Sequence, residues 1–557
     1  MKKIRSVSIA VVMLISILGG CGTKQTETQA PAAPVSGSET DASSGDGTTA
    51  VPANEAAAPR DLVFAQSIAI TSLDPAGMQP QGYPSGYEAA FAIHNGLIRF
   101  DEELNFVPDL AENWEPSADG LSWDFKLREG VTFHDSEPFN ADAVVAQYTR
   151  MMDKEINIGA YSLWEPIEKV EKVSDYEVKI TTKQPYSAFL NVMAHGSALI
   201  PSPKAVEADP EHYGLAPVGT GPYKMVSMEP GTELKLERFN EYYEGTPEYD
   251  TVTFRYVADP SARIAALQSG DVDVIDAVPF EYAQELSSNP EINLISKPGL
   301  QVFGIGLNQN NRILQDKTVR QALNYAIDKE AVAKALFMGY VTPLTGPLAP
   351  NTVGSVSLTP YQVDIDKANQ MLEDAGWKLN GDVREKDGGK LQFTLIVPDG
   401  MYPKDVILSE TIQNQLKNIG VQVTINKVEK STYWDQLKVP SAKTGYDMAL
   451  WGYNPSHGNG QIHMESLFTS NQSVEEKPEL WNFIWYQNDE VDRLLAQAKE
   501  QVLPEEFNES MRQAEEIVWD DCPYIWLYSN NIISAASADV DHVMVLPVVF
   551  TLVHRMQ

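Results

Sequence analysis

Pro108-Asp-Leu-Ala-Glu-Asn-Trp114, carried on through Asp119-Gly120-Leu121 into Phe125-Lys-Leu-Arg-Glu-Gly-Val131, is the stretch from which the fold is read. Asp119-Gly120 is a turn signal, because glycine accepts the positive φ that a tight connection needs. Beyond it Trp123, Phe125 and Leu127 alternate with polar residues. A period of two gives a strand with one apolar face. The local prediction is therefore two strands joined by a turn, with these three side chains directed inward.

The same texture extends outward from about Leu62. Tyr176–Thr182, Thr251–Val257 and Leu391–Val397 read as strands. After Asp364, residues Ala368, Met371, Leu372 and Ala375 share one helical face, and Gly376 ends the run. Val491, Leu494, Leu495 and Ala498 repeat that spacing behind Asn488. Alternating strands and helices predict an α/β body. With 557 residues the chain is too long for one compact core, so at least two lobes are expected.

Hydrophobic residues make up 43% and charged residues 21%, with a net charge of −35. That acidity keeps a surface solvated and argues against nucleic acid, whose phosphates would be repelled. It also argues against a protein lying flat on anionic lipid. The only cysteines are Cys21 and Cys522. Cys522 precedes Pro523 in an apolar stretch and reads as a buried, inert thiol.

The N-terminus carries Lys2, Lys3 and Arg5, then the apolar run Val7–Leu18, then Gly19-Gly20-Cys21. The run is shorter than the roughly 18 residues of a membrane span. Residues 1–20 therefore read as a secretory signal. Leu18-Gly19-Gly20-Cys21 resembles the bacterial lipobox, which implies lipidation of Cys21. Residues 21–60 hold no aromatic side chain and are expected to form a disordered tether with a reach of about 30–40 Å.

The quoted stretch, followed by Phe133-His-Asp135, Pro217-Val-Gly-Thr-Gly-Pro-Tyr223, Asp259-Pro-Ser-Ala-Arg263, Gly270-Asp-Val-Asp273 and Val319–Asp328, resembles the family 5 extracellular solute-binding proteins of ABC importers. The match runs from about residue 61 to 557. It implies a two-lobed periplasmic-binding-protein type II fold. Its mixed sheets are flanked by helices, with two hinge crossovers and an extra subdomain in the first lobe. Lobe I would be 61–304 plus 522–557, and lobe II 305–521. Gly219 and Gly221 are expected to supply positive φ for a turn. A phosphate cradle is not the reading, since the third glycine and a following Lys-Ser/Thr are missing.

Gln184–His195, Phe337–Gly346 and Ala514–Trp519 are similar to the glutathione-binding branch. A peptide-type solute, either a di- or oligopeptide or a glutathione-like molecule, is the ligand this implies. Dipeptide-binding relatives hold the ligand's amino group with an Asp in the loop after a strand Trp. Here that loop, Trp451–His463, has no carboxylate, and Gln461 falls about where the Asp would. Their carboxylate-binding Arg is matched by a segment offering Asp399, so the sign is reversed. Both departures put a simple zwitterionic dipeptide in doubt, and Asp399 offers a partner for an amine.

The resemblance sets Trp451 and Tyr453 as cleft walls in lobe II, with Asn454, His457 and Gln461 in the same loop. Met78, Gln81 and Tyr83 follow the turn Leu73-Asp74-Pro75 as the wall of lobe I. Phe303, His195, Asp399 and Tyr402 complete the expected ligand-binding set. Tyr87 and Trp164 stand between cleft and core. The eight histidines are scattered, so no metal site and no cofactor are expected. A nickel chelate or other small cationic solute remains the alternative, and a peptide-sensing or chaperone receptor the second. No catalytic residue is expected, because neither Gly-x-Ser-x-Gly nor His-Glu-x-x-His occurs. The expected partners are a small peptide, ABC permease subunits and, through the lipid, the outer face of the cytoplasmic membrane. Nucleic acid is not among them, and a monomer is expected.

Overall fold

Two long strands, Ile292–Leu307 and Tyr524–Ser537, run antiparallel through the middle of an eleven-stranded sheet. The computed structural model describes residues 60–77, 85–157, 159–471, 473, 475–478, 480–548 and 550–552. The expected leader over 1–20, Cys21 with all but the last residue of the expected tether, and Met78, Gln81 and Tyr83 lie outside the described residues. Among those described, no helix is long and apolar enough to cross a membrane.

Val302–Leu307 and Tyr524–Tyr528 are apolar and buried because both faces of the sheet are covered there. Alternation decides which face each side chain enters. Tyr524 and Trp526 join one apolar cluster, and Ile525 and Leu527 join the other. Ile292–Pro298 pairs with Ser537–Asn531, and Val302–Gly306 pairs with Ser529–Tyr524. Between these ladders the register slips from Pro298 to Val302, and again from Phe303 to Gly304. Pro298 has no N–H to give a ladder. Gly299 lies where a Cβ would stand 2.9 Å from the Asn530 carbonyl oxygen.

Different strands flank the two ladders. Beside Ala535 and Ala536 comes Val274–Ile275, then Asp61–Gln66 and Thr251–Tyr256 in parallel, then two antiparallel strands. Beside Val302–Leu307 comes Met448–Tyr453, then Gln392–Asp399 and Gln422–Glu429 in parallel. Parallel neighbours need a crossover. Helix Asp405–Lys417 supplies it between Gln392–Asp399 and Gln422–Glu429, and Pro260–Ser269 carries the chain from Thr251–Tyr256 past Asp61–Gln66 to Val274–Ile275.

The opening stretch folds as read. Strands Ala111–Pro116 and Ser122–Leu127 pair antiparallel, with Gly120 at φ +70° in the turn. Trp123, Phe125 and Leu127 are buried. These strands continue into Glu177–Thr182 and Ile167–Ser174 as a separate four-stranded sheet. The helix after Asp364 spans Ile365–Asp374 with that Asp as its cap, and Gly376 adopts φ +91°. Asn488 caps Asp489–Glu500 by accepting from the N–H groups of Glu490 and Val491. Cys522 is fully buried, and burial pushes its thiol up to about 12.

One expectation fails. Gly219 and Gly221 do not adopt positive φ. They are glycines for room: the loop lies against the end of helix Ser85–Ile93, and Gly221 donates its N–H to the Ile93 oxygen at 2.8 Å. A Cβ on Gly219 would stand 2.1 Å from that oxygen, and one on Gly221 2.7 Å from the Ala92 oxygen.

Candidate functional site

Strand Met448–Tyr453 ends with Tyr453 beside Val302 of the long strand, and the chain then turns through Asn454–Gly458 into helix Gly460–Phe468. Asn459 caps that helix, its side-chain oxygen accepting from the N–H groups of Gln461 and Ile462. This loop meets the segment Phe189–Ala198, which belongs to the other side of the long strands. Asn191 Nδ2 donates to the His457 carbonyl at 2.9 Å, and Asn459 Nδ2 donates back to Asn191 Oδ1 at 3.2 Å. Beside them His195 Nε2 lies 3.4 Å from Ser456 Oγ. His195 Nδ1 already receives the Ser197 N–H at 3.2 Å.

The histidines here are buried and neutral. Burial pulls His195 down to about 4. Burial, then the neighbouring His195 and His463, pull His457 down to about 3. His463, on the helix after the loop, is brought to about 3 by burial. Its ring lies 4.5 Å from that of Tyr453, and neither ring nitrogen has a hydrogen-bond partner.

Two cavities open here. One is bounded by His94, Arg99, Asp109, His195 and Phe550, with Ser456 closing it from the opposite segment. The other, smaller one lies between Phe303, Trp451, Tyr453, Tyr524 and Trp526. Gly452 shapes it. A Cβ there would press on Phe303 ring carbons at 2.6 Å, so the glycine lets that ring lie over the neighbouring strand. Phe303 stacks on Tyr528 at 5.1 Å and meets Tyr402 edge-on at 5.3 Å.

Of the expected residues, His195, Phe303, Trp451 and Tyr453 line these cavities, and Tyr402 packs directly behind Phe303. Asn454 is half-buried in the loop itself. His457 is buried and contributes its backbone carbonyl and ring to the contact. Gln461 is buried and donates to Glu465 and to the Leu495 carbonyl. Asp399 is exposed at the end of its strand and lines neither cavity. The buried carboxylate of that segment is Asp405, which accepts the N–H groups of Met401, Tyr402 and Val406 and so sets the turn carrying Tyr402. Tyr87 lies edge-on to His195, and Trp164 is core, donating to Ser197.

Asn191, Ser456, Asn459, Tyr524 and Trp526 belong to the site without having been singled out. Ser456 and Asn459 stood inside the loop already in view. Nothing in the spacing of the other three distinguishes them from packing residues. Among the described residues no cluster of His, Cys, Asp or Glu could hold a metal ion.

The family model for the middle region of bacterial extracellular solute-binding proteins, family 5, matches residues 105–475. The glutathione-binding protein GsiB of Pectobacterium atrosepticum is 33% identical over 503 residues, which are 90% of this chain and 94% of that protein. HbpA2 from Haemophilus parasuis superposes with a TM-score of 0.78 at 25% identity, over 89% of this chain and 99% of that one. The oligopeptide-binding protein AppA from Bacillus subtilis, solved with a nonapeptide, gives 0.68 at 28% identity, over 88% and 97%. The aromatic strand ends and the loop between them are thus set on a known scaffold, and the chain belongs to family 5 of the bacterial extracellular solute-binding proteins.

Proposed function

We propose that this protein captures a peptide-type solute between two lobes outside the cytoplasm and delivers it to the permease of an ABC importer. The solute is a di- or oligopeptide or a glutathione-like molecule. The observation that carries this reading is the pair of contacts Asn191–His457–Asn459 and His195–Ser456, made by segments from opposite sides of the long strands. A named glutathione-binding protein and an oligopeptide-binding protein with peptide bound, both similar along most of the chain, support it.

In this reading the lobes are 61–304 with 522–557, and 305–521. They turn about the register slips of the two long strands, where ladder bonding is already interrupted. Ligand that touches both segments shifts the population toward the closed form. The solute leaves chemically unaltered. Cys21, lipidated, and the tether behind it hold the body near the membrane.

Two measurements test the proposal. A ligand present at a hundredfold excess over its Kd stabilises by about 2.7 kcal/mol. Glutathione, dipeptides or longer peptides are therefore expected to raise the melting temperature of the soluble form. Stabilisation by a nickel–histidine complex and by none of the peptides would transfer the site to a metal chelate. Asn191→Ala removes two bonds across the cleft and leaves a buried carbonyl unmet. It should cost about 1–2 kcal/mol of the closed form, read as ligand affinity lowered about five- to thirtyfold in calorimetry. Unchanged affinity would show that this contact does not contribute to closure.

A further inference from the structure

The turn Asp119-Gly120 does more than join two strands. Gly120 is buried at φ +70°, and a Cβ there would stand 3.0 Å from Val502 Cγ2 and 3.7 Å from Pro185 Cβ. Two residues beyond that proline, Ser187 donates its N–H to the Lys499 carbonyl at 2.8 Å. The carbonyl belongs to the last turn of helix Asp489–Glu500, where carbonyls have no partner inside the helix. Tyr186 is 3% exposed, and burial, then the charge of Glu465, push its hydroxyl pKa up. In the two-lobe reading above, on which this inference rests, Gly120 and Pro185–Ser187 belong to lobe I. Glu465, Lys499 and Val502 belong to lobe II. None of these residues lines either cavity.

The contact carries opposing terms. Val502 and Pro185 pack over Gly120, which favours joining. Ser187 Oγ and Gln501 Oε1, on the two touching segments, are each buried with no hydrogen-bond partner. Both can meet water when the segments part, so joining them costs desolvation. Packing and a backbone bond against two dry polar atoms leave the contact reversible.

We infer that the Asp119-Gly120 turn and Pro185–Ser187 form a closing arm, which grips the segment Lys499–Val502 and sets ligand affinity through the closed population without touching the ligand. The four-stranded sheet that presents the turn thereby acts in closure. Apparent affinity scales with the fraction of protein in the binding-competent form. A change in the arm therefore multiplies the affinity of every solute by one factor, whereas a change in a residue that touches ligand alters the ranking of solutes.

The experiment is isothermal titration of the protein and two variants with triglycine, trialanine, trileucine and glutathione. Val502→Asp sets a carboxylate against the buried Gly120 and should weaken every binder by one common factor of at least about tenfold. Ser187→Ala removes a dry hydroxyl and keeps the backbone bond. It should tighten every binder about fivefold, a gain that a misfolded protein cannot give. Hydrogen exchange at the Ser187 amide, followed by mass spectrometry without ligand, should quicken in Val502→Asp. Factors that differ among binders, or affinities and exchange both unmoved by Val502→Asp, would overturn the arm and leave the peptide reading standing. No binding by any peptide would overturn the peptide reading, and exchange at Ser187 would then decide the arm alone.

Discussion

Gly219→Ala is expected to unfold the first lobe or to cost at least about 3 kcal/mol, the upper end of overpacking effects. The added Cβ would stand 2.1 Å from the Ile93 oxygen and 2.8 Å from the His94 ring. The oxygen is backbone at a helix end and already accepts the Gly221 N–H, so it has no rotamer into which to retreat. Gly219 also gives its own carbonyl to His134 N–H at 2.9 Å, which holds the loop from the other side. Gly231→Ala is the control. It has φ +79° but nothing within 4 Å of a Cβ, so only the left-handed backbone penalty of about 1–2 kcal/mol applies. Urea unfolding of both variants separates crowding from backbone strain. Equal losses would mean that the loop moves away from the helix at little cost.

The second large effect is acid lability. His94, His195, His457 and His463 are all buried, and burial lowers His94, like His457 and His463, to about 3. Each binds its proton in the unfolded chain near pH 6.5 and in the folded chain only near 3 to 4. Their stabilisation is therefore complete above pH 6.5 and is lost as pH falls from there through the folded values. Each group accounts for about 3–5 kcal/mol over that window, a large share of the 5–15 kcal/mol available to a typical domain. Glu88 and Glu515 act in the opposite sense, because burial raises both and their stabilisation fades as pH rises. His463→Phe isolates one term, replacing a ring without hydrogen bonds by one that cannot titrate. Relative to wild type, the variant should gain about 3 kcal/mol between pH 7 and pH 4. Parallel stability curves would show that His463 finds water or a partner in the folded state.

Much of this was legible before any coordinates. Asp119-Gly120, Asp364 with Gly376, and Asn488 each announce a turn or a helix end by chemistry confined to a few residues, and each stands where it was read. The alternation Trp123, Phe125, Leu127 assigned faces because a strand has period two whatever surrounds it. Gly219 and Gly221 show the limit. A glycine that relieves φ and one that makes room for a distant helix are identical as letters, and only the approach of Ile93 tells them apart.

The candidate site divides in the same way. Trp451, Tyr453 and the loop to His463 were in view from their order along the chain, whereas Asn191, Tyr524 and Trp526 reach them only through folding. Asp399 stands out in the sequence by its charge, and the fold leaves it exposed while Asp405 sets the turn that carries Tyr402. The α/β class, the local caps and turns, and the family are readable from the residues alone, since these depend on short-range patterns and on ordered motifs. Which side chains meet across the long strands emerges only on folding, because contact between residues far apart in the chain is set by the packing of whole elements.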